Sequence, residues 1–423
     1  MSPNRDIVIT GMGIVSPLGI GKAPFWAALC QGRSGIRRLD LFDEPDLPAP
    51  FGGEVADFDP KQYVRPRKSL KVMSREIQLG FAAADLALAD AGMRQRPVDP
   101  ERLGVIFGSD LLLCELPELA PAFRGCMADG RFDFSRWGSV AMSELFPLWM
   151  LKYLPNMPAC HIGIAQDARG PNNSITLGDV STLSAIAEAV RVLQRGQADA
   201  LIVGGVGSQI HPALWARSRV RGLSRRNDDP GAAARPFDAM RDGLVVGEGA
   251  GAFIMETGRG AAARGAPILA RVLGYASAFE PTRSGRLPQG AAIRRAMAGA
   301  LADAGLAPAD IGHVNAHGIS AVADDRTEAQ AIRDVLGDVP VTALKSYFGH
   351  LGAAAGALET AASALAIEHQ SVPPTLNYEH PDPQCPINVI HGQPRRPGHP
   401  TALILSHSRQ GQAVAVVLGG ANE

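Results

Sequence analysis

Residues 170–190 read Gly-Pro-Asn-Asn-Ser-Ile-Thr-Leu-Gly-Asp-Val-Ser-Thr-Leu-Ser-Ala-Ile-Ala-Glu-Ala-Val. A Pro-Asn turn leads into a short apolar, β-branched segment, then a Gly178-Asp179 corner, and from Ser181 the apolar residues recur at helical spacing. The pattern predicts a strand, a sharp turn and a helix. A side chain on such a turn stands at a helix N-terminus, where free backbone N–H groups and the helix dipole favour an anion. Enzymes place nucleophiles there, and here the residue is Asp179.

The same alternation continues on both sides. Strand-like runs occupy Asp6–Val15, Leu103–Ser109 and Asp199–Val206, and an amphipathic helix is predicted from about Ser74 to Ala91, stopping at Gly92. Beyond the Gly-rich stretch 222–249, strands are expected at 251–257, 268–275, 312–316, 340–345, 401–406 and 413–418. Helices are expected at 290–305, 324–337 and 353–369. Strands alternating with helices argue for α/β layering with mostly parallel pairing, in two similar halves, 1–260 and 261–423. The aromatic and apolar stretch 110–165 reads as an insert lining a pocket or an interface.

Composition narrows the classes. With 46% hydrophobic and 20% charged residues in 423, the chain reads as an ordinary globular protein with a core too large to need staples. A formal net charge of −1 carries no global signal for nucleic acid. No run of about 18 apolar residues occurs, and the first residues lack the long apolar core of a signal peptide, so no membrane is implicated. The five scattered cysteines have no paired spacing, which argues against a disulfide framework or a zinc site and for a cytoplasmic setting. Neither a metal nor a cofactor is expected.

The 170–190 stretch resembles the nucleophile elbow of the β-ketoacyl synthases, the condensing enzymes of fatty acid and polyketide synthesis. Gly170, Pro171, Asn172, Ser181, Ala185, Ile186, Glu188 and Ala189 match the family pattern, and Asp179 stands in place of its cysteine. Further matches follow in order: ITGMGIVSPLG at 9–19, RPFDAMRDGLVVGEGAGAFIMET at 235–257, HVNAHG at 313–318, LKSYFGHLGAAAGALET at 344–360 and VPPTLNYEHPD at 372–382. The resemblance implies the thiolase fold, with duplicated βαβαβ halves in five-layered αβαβα packing, working as a dimer.

It also implies a site. In the family the cysteine takes the acyl chain while two histidines hold the malonyl thioester carbonyl during decarboxylation. The histidines correspond to His317 and His350, a lysine that orients the second histidine region to Lys345, and a helix carboxylate to Glu359. Two neutral imidazoles suit such work because each can donate one N–H to a developing enolate oxygen. The C-terminal glycine-rich loop that completes the oxyanion hole is rebuilt here as Leu405-Ser406-His407-Ser408-Arg409-Gln410-Gly411, with Arg409 aligned on a gating Phe. An ion pair between Asp179 and Arg409 is therefore expected across the former active site.

Two more stretches bear on function. Leu111-Leu112-Leu113 stands where small residues line the acyl tunnel and is expected to plug it. Arg67, Lys68 and Lys71 lie where ketosynthases dock acyl carrier protein. An acyl-aspartate would be a mixed anhydride, too reactive to carry a growing chain. The expected function is thus a non-condensing, chain-length-factor-like subunit that pairs with a cysteine-bearing ketosynthase and meets a phosphopantetheine-linked acyl chain. Two alternatives stand beside it: a malonyl-carrier decarboxylase or other acyl enzyme using His317, His350 and Asp179, and a homodimeric acyl-binding scaffold.

Overall fold

The computed structural model describes residues 6–40, 50–214, 222–282 and 287–422; residues 41–49, within the Pro-, Gly- and Asp-rich stretch 35–62, lie outside them. Its first half contains β1 (Ile7–Ser16), helix α1 (Arg75–Asp90), β2 (Leu103–Gly108), α2 (Met157–Ala165), β3 (Asn172–Ile175), α3 (Ser181–Gln194), β4 (Ala200–Ser208) and β5 (Val246–Thr257). The second half adds β6 (Ala270–Phe279), α4 (Ala291–Ala304), β7 (His313–Asn315), α5 (Val322–Leu336), β8 (Pro340–Thr342), α6 (Ala355–Glu368), β9 (Asn388–Val389), β10 (Thr401–His407) and β11 (Gln412–Gly419).

Local sequence explains the elements. In α1, Ser74 caps the N-terminus by accepting from the Ile77 N–H, and Ile77, Phe81, Ala84 and Leu88 bury one face. β1 and β5 are buried along nearly their whole length, so they read as continuous apolar runs rather than alternating ones.

Strand pairing repeats from one half to the other. β1 pairs antiparallel with β5, β5 antiparallel with β4, β4 parallel with β2, and β2 parallel with β3. In the second half β6 pairs antiparallel with β11, β11 antiparallel with β10, β10 parallel with β7, and β7 parallel with β8. Mostly parallel pairing was the expectation; each half in fact places two antiparallel steps at its inner side. Those steps join strands whose connections are a long excursion or a tight hairpin, neither of which needs a parallel crossover. A short antiparallel contact, Ile7 opposite Val272, fuses the two half-sheets.

Helices α3 and α6 lie between the half-sheets and share one core with β1, β4, β5, β6, β10 and β11. Helices α1 and α2 cover the outer face of the first half, while α4 and α5 cover that of the second. The result is the five-layered αβαβα sandwich of the thiolase fold. Close approach at its centre depends on glycines in β4: a Cβ on Gly205 would fall 1.8 Å from Thr182 Oγ1, and one on Gly207 2.3 Å from the Leu351 carbonyl. Those two positions let the start of α3 and the loop before α6 meet over the end of β4.

The 110–165 insert is ordered, with helices at Leu116–Gly125 and Trp137–Glu144 ahead of α2 and a small hairpin between them. Phe123, Phe132 and Trp137 cluster there with ring centroids 5.2–6.3 Å apart. Among the described residues no helix is long and apolar enough to cross a membrane.

Candidate active site

Asp179 lies on the Gly178–Val180 turn ahead of α3. Ser181 fixes that turn, its Oγ accepting from the Leu177 N–H at 2.9 Å and donating to the Gly178 carbonyl at 2.7 Å. Thr182 donates to the Ala353 carbonyl, which ties the turn to the segment following His350.

Two histidines converge on the carboxylate. His350 Nε2 lies 3.1 Å from Asp179 Oδ1, and His317 Nε2 lies 4.0 Å from Oδ2. The imidazoles stand edge to face, with ring centroids 5.9 Å apart. Burial acts first on the Asp179 carboxyl and raises its pKa, but His350, then Lys345 and His407, outweigh it and leave the group below its usual range. Asp179 is therefore an anion at neutral pH.

Behind His317, the buried Lys345 ammonium donates to the His317 carbonyl at 2.6 Å and to Glu359, and lies 3.2 Å from His317 Nδ1. Burial, then Lys345, His407 and His350, push the His317 pKa well below the ordinary value. The ring is neutral, and an ammonium facing Nδ1 leaves its proton on Nε2, the atom aimed at Asp179. Lys345 was expected to orient the second histidine region. It backs the first instead, because the buried helix Lys345–Phe348 brings the ammonium against the His317 carbonyl and Glu359.

The expected Asp179–Arg409 pair is replaced by another. Arg409 forks onto Asp324, Nε to Oδ1 at 2.9 Å and Nη2 to Oδ2 at 2.7 Å. The reason is local: Asp324 sits in the first turn of α5, next to the β10–β11 turn that carries Arg409, whereas His350 already engages Asp179. That turn is closed by Ser408 N–H to the Gln412 carbonyl at 2.9 Å and Gly411 N–H to the Ser408 carbonyl at 3.0 Å. Ser406 Oγ is buried without a hydrogen-bond partner. Asp179, His317, His350, His407 and Arg409 line one cavity of about 120 Å³, with Gln209 and Gln410 among its other walls.

The three leucines differ in their surroundings. Leu112 is buried in the first-half core, Leu113 is half-buried, and Leu111 is 58% exposed. Arg67, Lys68 and Lys71 stand exposed on the single turn Arg67–Val72, away from the cavity lining.

Sequence reasoning missed the acids that hold the site. Glu328 accepts from the backbone N–H groups of His317 at 2.6 Å and Gly318 at 2.8 Å, and lies 3.6 Å from His407 Nε2. Asp325 accepts from Ile319 N–H at 3.1 Å and Phe237 N–H at 2.9 Å. Burial lowers the His407 pKa, but Glu328 and then Asp324 reverse this, and the net direction is upward. Asp110 also lies near; burial first, then the Asp179 charge, raise its pKa. A signal existed, since Asp324-Asp325-x-x-Glu328 opens a helix directly after the His317 loop, where carboxylates cap backbone donors. Among the described residues no group of side chains is arranged to hold a metal ion.

A helix-N-terminal turn facing two imidazoles, with a buried Lys–Glu pair behind them, sits within a thiolase fold. Within that fold class the chain belongs to the β-ketoacyl synthase family, whose N-terminal domain matches residues 4–261 and whose C-terminal domain matches residues 269–379. It is 35% identical over 397 residues to 3-oxoacyl-[acyl-carrier-protein] synthase 2 of Synechocystis sp., covering 92% of each chain. Among solved structures it is similar to the ishigamide ketosynthase/chain length factor, with TM-score 0.84, 29% identity, and 98% and 99% of the two chains covered. It is likewise similar to a chain of the solved structure of a type II PKS acyl-carrier protein in complex with its ketosynthase bound to the hexaketide, with TM-score 0.82, 29% identity and 99% of each chain covered.

Proposed function

We propose that this chain is a non-condensing ketosynthase homologue that acts, as a chain length factor does, beside a cysteine-bearing ketosynthase in acyl-chain elongation on acyl carrier protein. One observation carries the reading: an anionic carboxylate stands in the nucleophile's place and is held by His350. A carboxylate so placed forms no stable thioester-like carrier, and its charge opposes an enolate beside it.

Supporting features lie at the surface. Leu111, Leu116, Phe123, Phe134, Met142 and Leu148 of the insert are all exposed in the single chain, apolar side chains that a permanent partner would cover. The similarity to a ketosynthase/chain length factor structure points the same way. The test is affinity capture of the full chain from its native host, with native mass measured. A stoichiometric complex with a cysteine-bearing ketosynthase is the expected result; a homodimer alone would sink the reading.

The exposed turn at Arg67–Val72 is assigned to carrier docking on charge. Lys68→Glu combined with Lys71→Glu is expected to weaken binding of the acidic carrier by about tenfold at low salt, with the difference shrinking as salt rises. Unchanged binding would remove the assignment. A second reading, a malonyl-carrier decarboxylase, is favoured by the intact His317–Lys345–Glu359 set, and is opposed by the Asp179 anion 3.1 Å from His350.

A further inference from the structure

We propose that Asp179 is an internal ligand of an anion site, so that the chain carries a latent carboxylate-binding pocket kept closed by its own side chain. The geometry is that of a bound carboxylate: one oxygen lies 3.1 Å from His350 Nε2 and the other faces His317 Nε2 at 4.0 Å. A carboxylate only accepts hydrogen bonds, so the first contact holds with the proton on His350 Nε2. Lys345 and the buried environment set His317 in the matching form, with its proton on Nε2.

The surroundings fit an anion beyond these two donors. The turn bearing Asp179 opens α3, a helix of 14 residues whose dipole favours an anion at that end. Lys345 and His407 add positive potential from behind, each acting to lower the Asp179 pKa. Among the described residues, His350 Nδ1 is buried without a hydrogen-bond partner. The second nitrogen therefore holds the ring by no competing bond, and its contact with Asp179 is the polar one that positions it. The adjoining space of about 120 Å³ exceeds what one water needs and gives a small carboxylate room once the Asp179 side chain is gone.

The proposal concerns the isolated chain and does not depend on a ketosynthase partner. It is tested by titrating sodium acetate into wild type and Asp179→Ala at pH 7, with binding read by calorimetry and by the imidazole NMR signals. The variant is expected to bind acetate at least about tenfold more tightly than wild type, because a like charge is removed and the His350 donor is freed. Adding His350→Ala is expected to abolish the gain. Equal affinity in wild type and variant, or binding that survives His350→Ala, would overturn the proposal. Asp179→Gly serves the same test if the alanine variant fails to fold. Failure here would leave the partner reading standing, and failure of the capture experiment would leave this site untouched.

Discussion

An Asp179→Cys variant is expected to expose a reactive thiol and still fall at least about a hundredfold short of a cysteine-bearing relative in condensation, the scale on which misplaced reacting groups lose rate. The thiol would sit on a helix-N-terminal turn with His350 and Lys345 nearby, an environment that lowers thiol pKa and favours alkylation. What the substitution leaves unchanged is the rest of the pocket. Arg409 stays forked onto Asp324, the β10–β11 turn stays closed by its own hydrogen bonds, and the cavity stays near 120 Å³. Intact-protein mass after iodoacetamide reads the thiol, and an assay with acyl- and malonyl-carrier reads condensation. Activity within tenfold of the relative would show that the rebuilt turn is no obstacle.

Lys345→Met is expected to destabilise the protein by about 3–5 kcal/mol, the scale for removing one partner of a buried ion pair. Lys345 and Glu359 side chains are 2% and 0% exposed, and the ammonium also serves the His317 carbonyl, so no water replaces the lost charge. The deficit has a pH signature. Burial already raises the Glu359 pKa, with Lys345 opposing, and loss of Lys345 raises it further. An acid whose pKa is higher in the folded state than in the unfolded one stabilises the fold as it takes up its proton. The gap between variant and wild type therefore narrows as pH falls through the variant's folded Glu359 pKa and is constant above it. Denaturant unfolding across pH 5–8 measures this, and the double change with Glu359→Gln is expected to recover part of the loss. A gap constant with pH would mean that Glu359 is compensated elsewhere.

Much of the fold was readable because the strands and helices are long and bounded by glycines. The predicted helices 74–91, 290–305 and 353–369 end within two residues of Arg75–Asp90, Ala291–Ala304 and Ala355–Glu368. Antiparallel pairing on the inner side of each half was not readable, since a fully buried strand shows the same apolar run in either direction. In the site, the residues carried by motifs, Asp179, His317, His350, Lys345 and Glu359, come together in space. Those that depend on orientation did not follow from motif matching. Arg409 could reach Asp179 or Asp324 by sequence position alone, and only the hairpin turn decides. Glu328 and Asp325 escaped notice because their partners are backbone N–H groups, which leave no mark on the pattern of side chains.

The place of β1 in the sheet sets the timing of folding during synthesis. Ile7 finds its partners at Thr257 and Val272, so the most apolar strand near the N-terminus has neither neighbour until those residues leave the ribosome. At roughly 5–20 residues per second that is a wait on the order of ten to fifty seconds. Through that interval a ten-residue run, later buried throughout, is an unpaired edge that another nascent chain could adopt. A protein built this way leans on holdase chaperones the more, the more slowly it is translated.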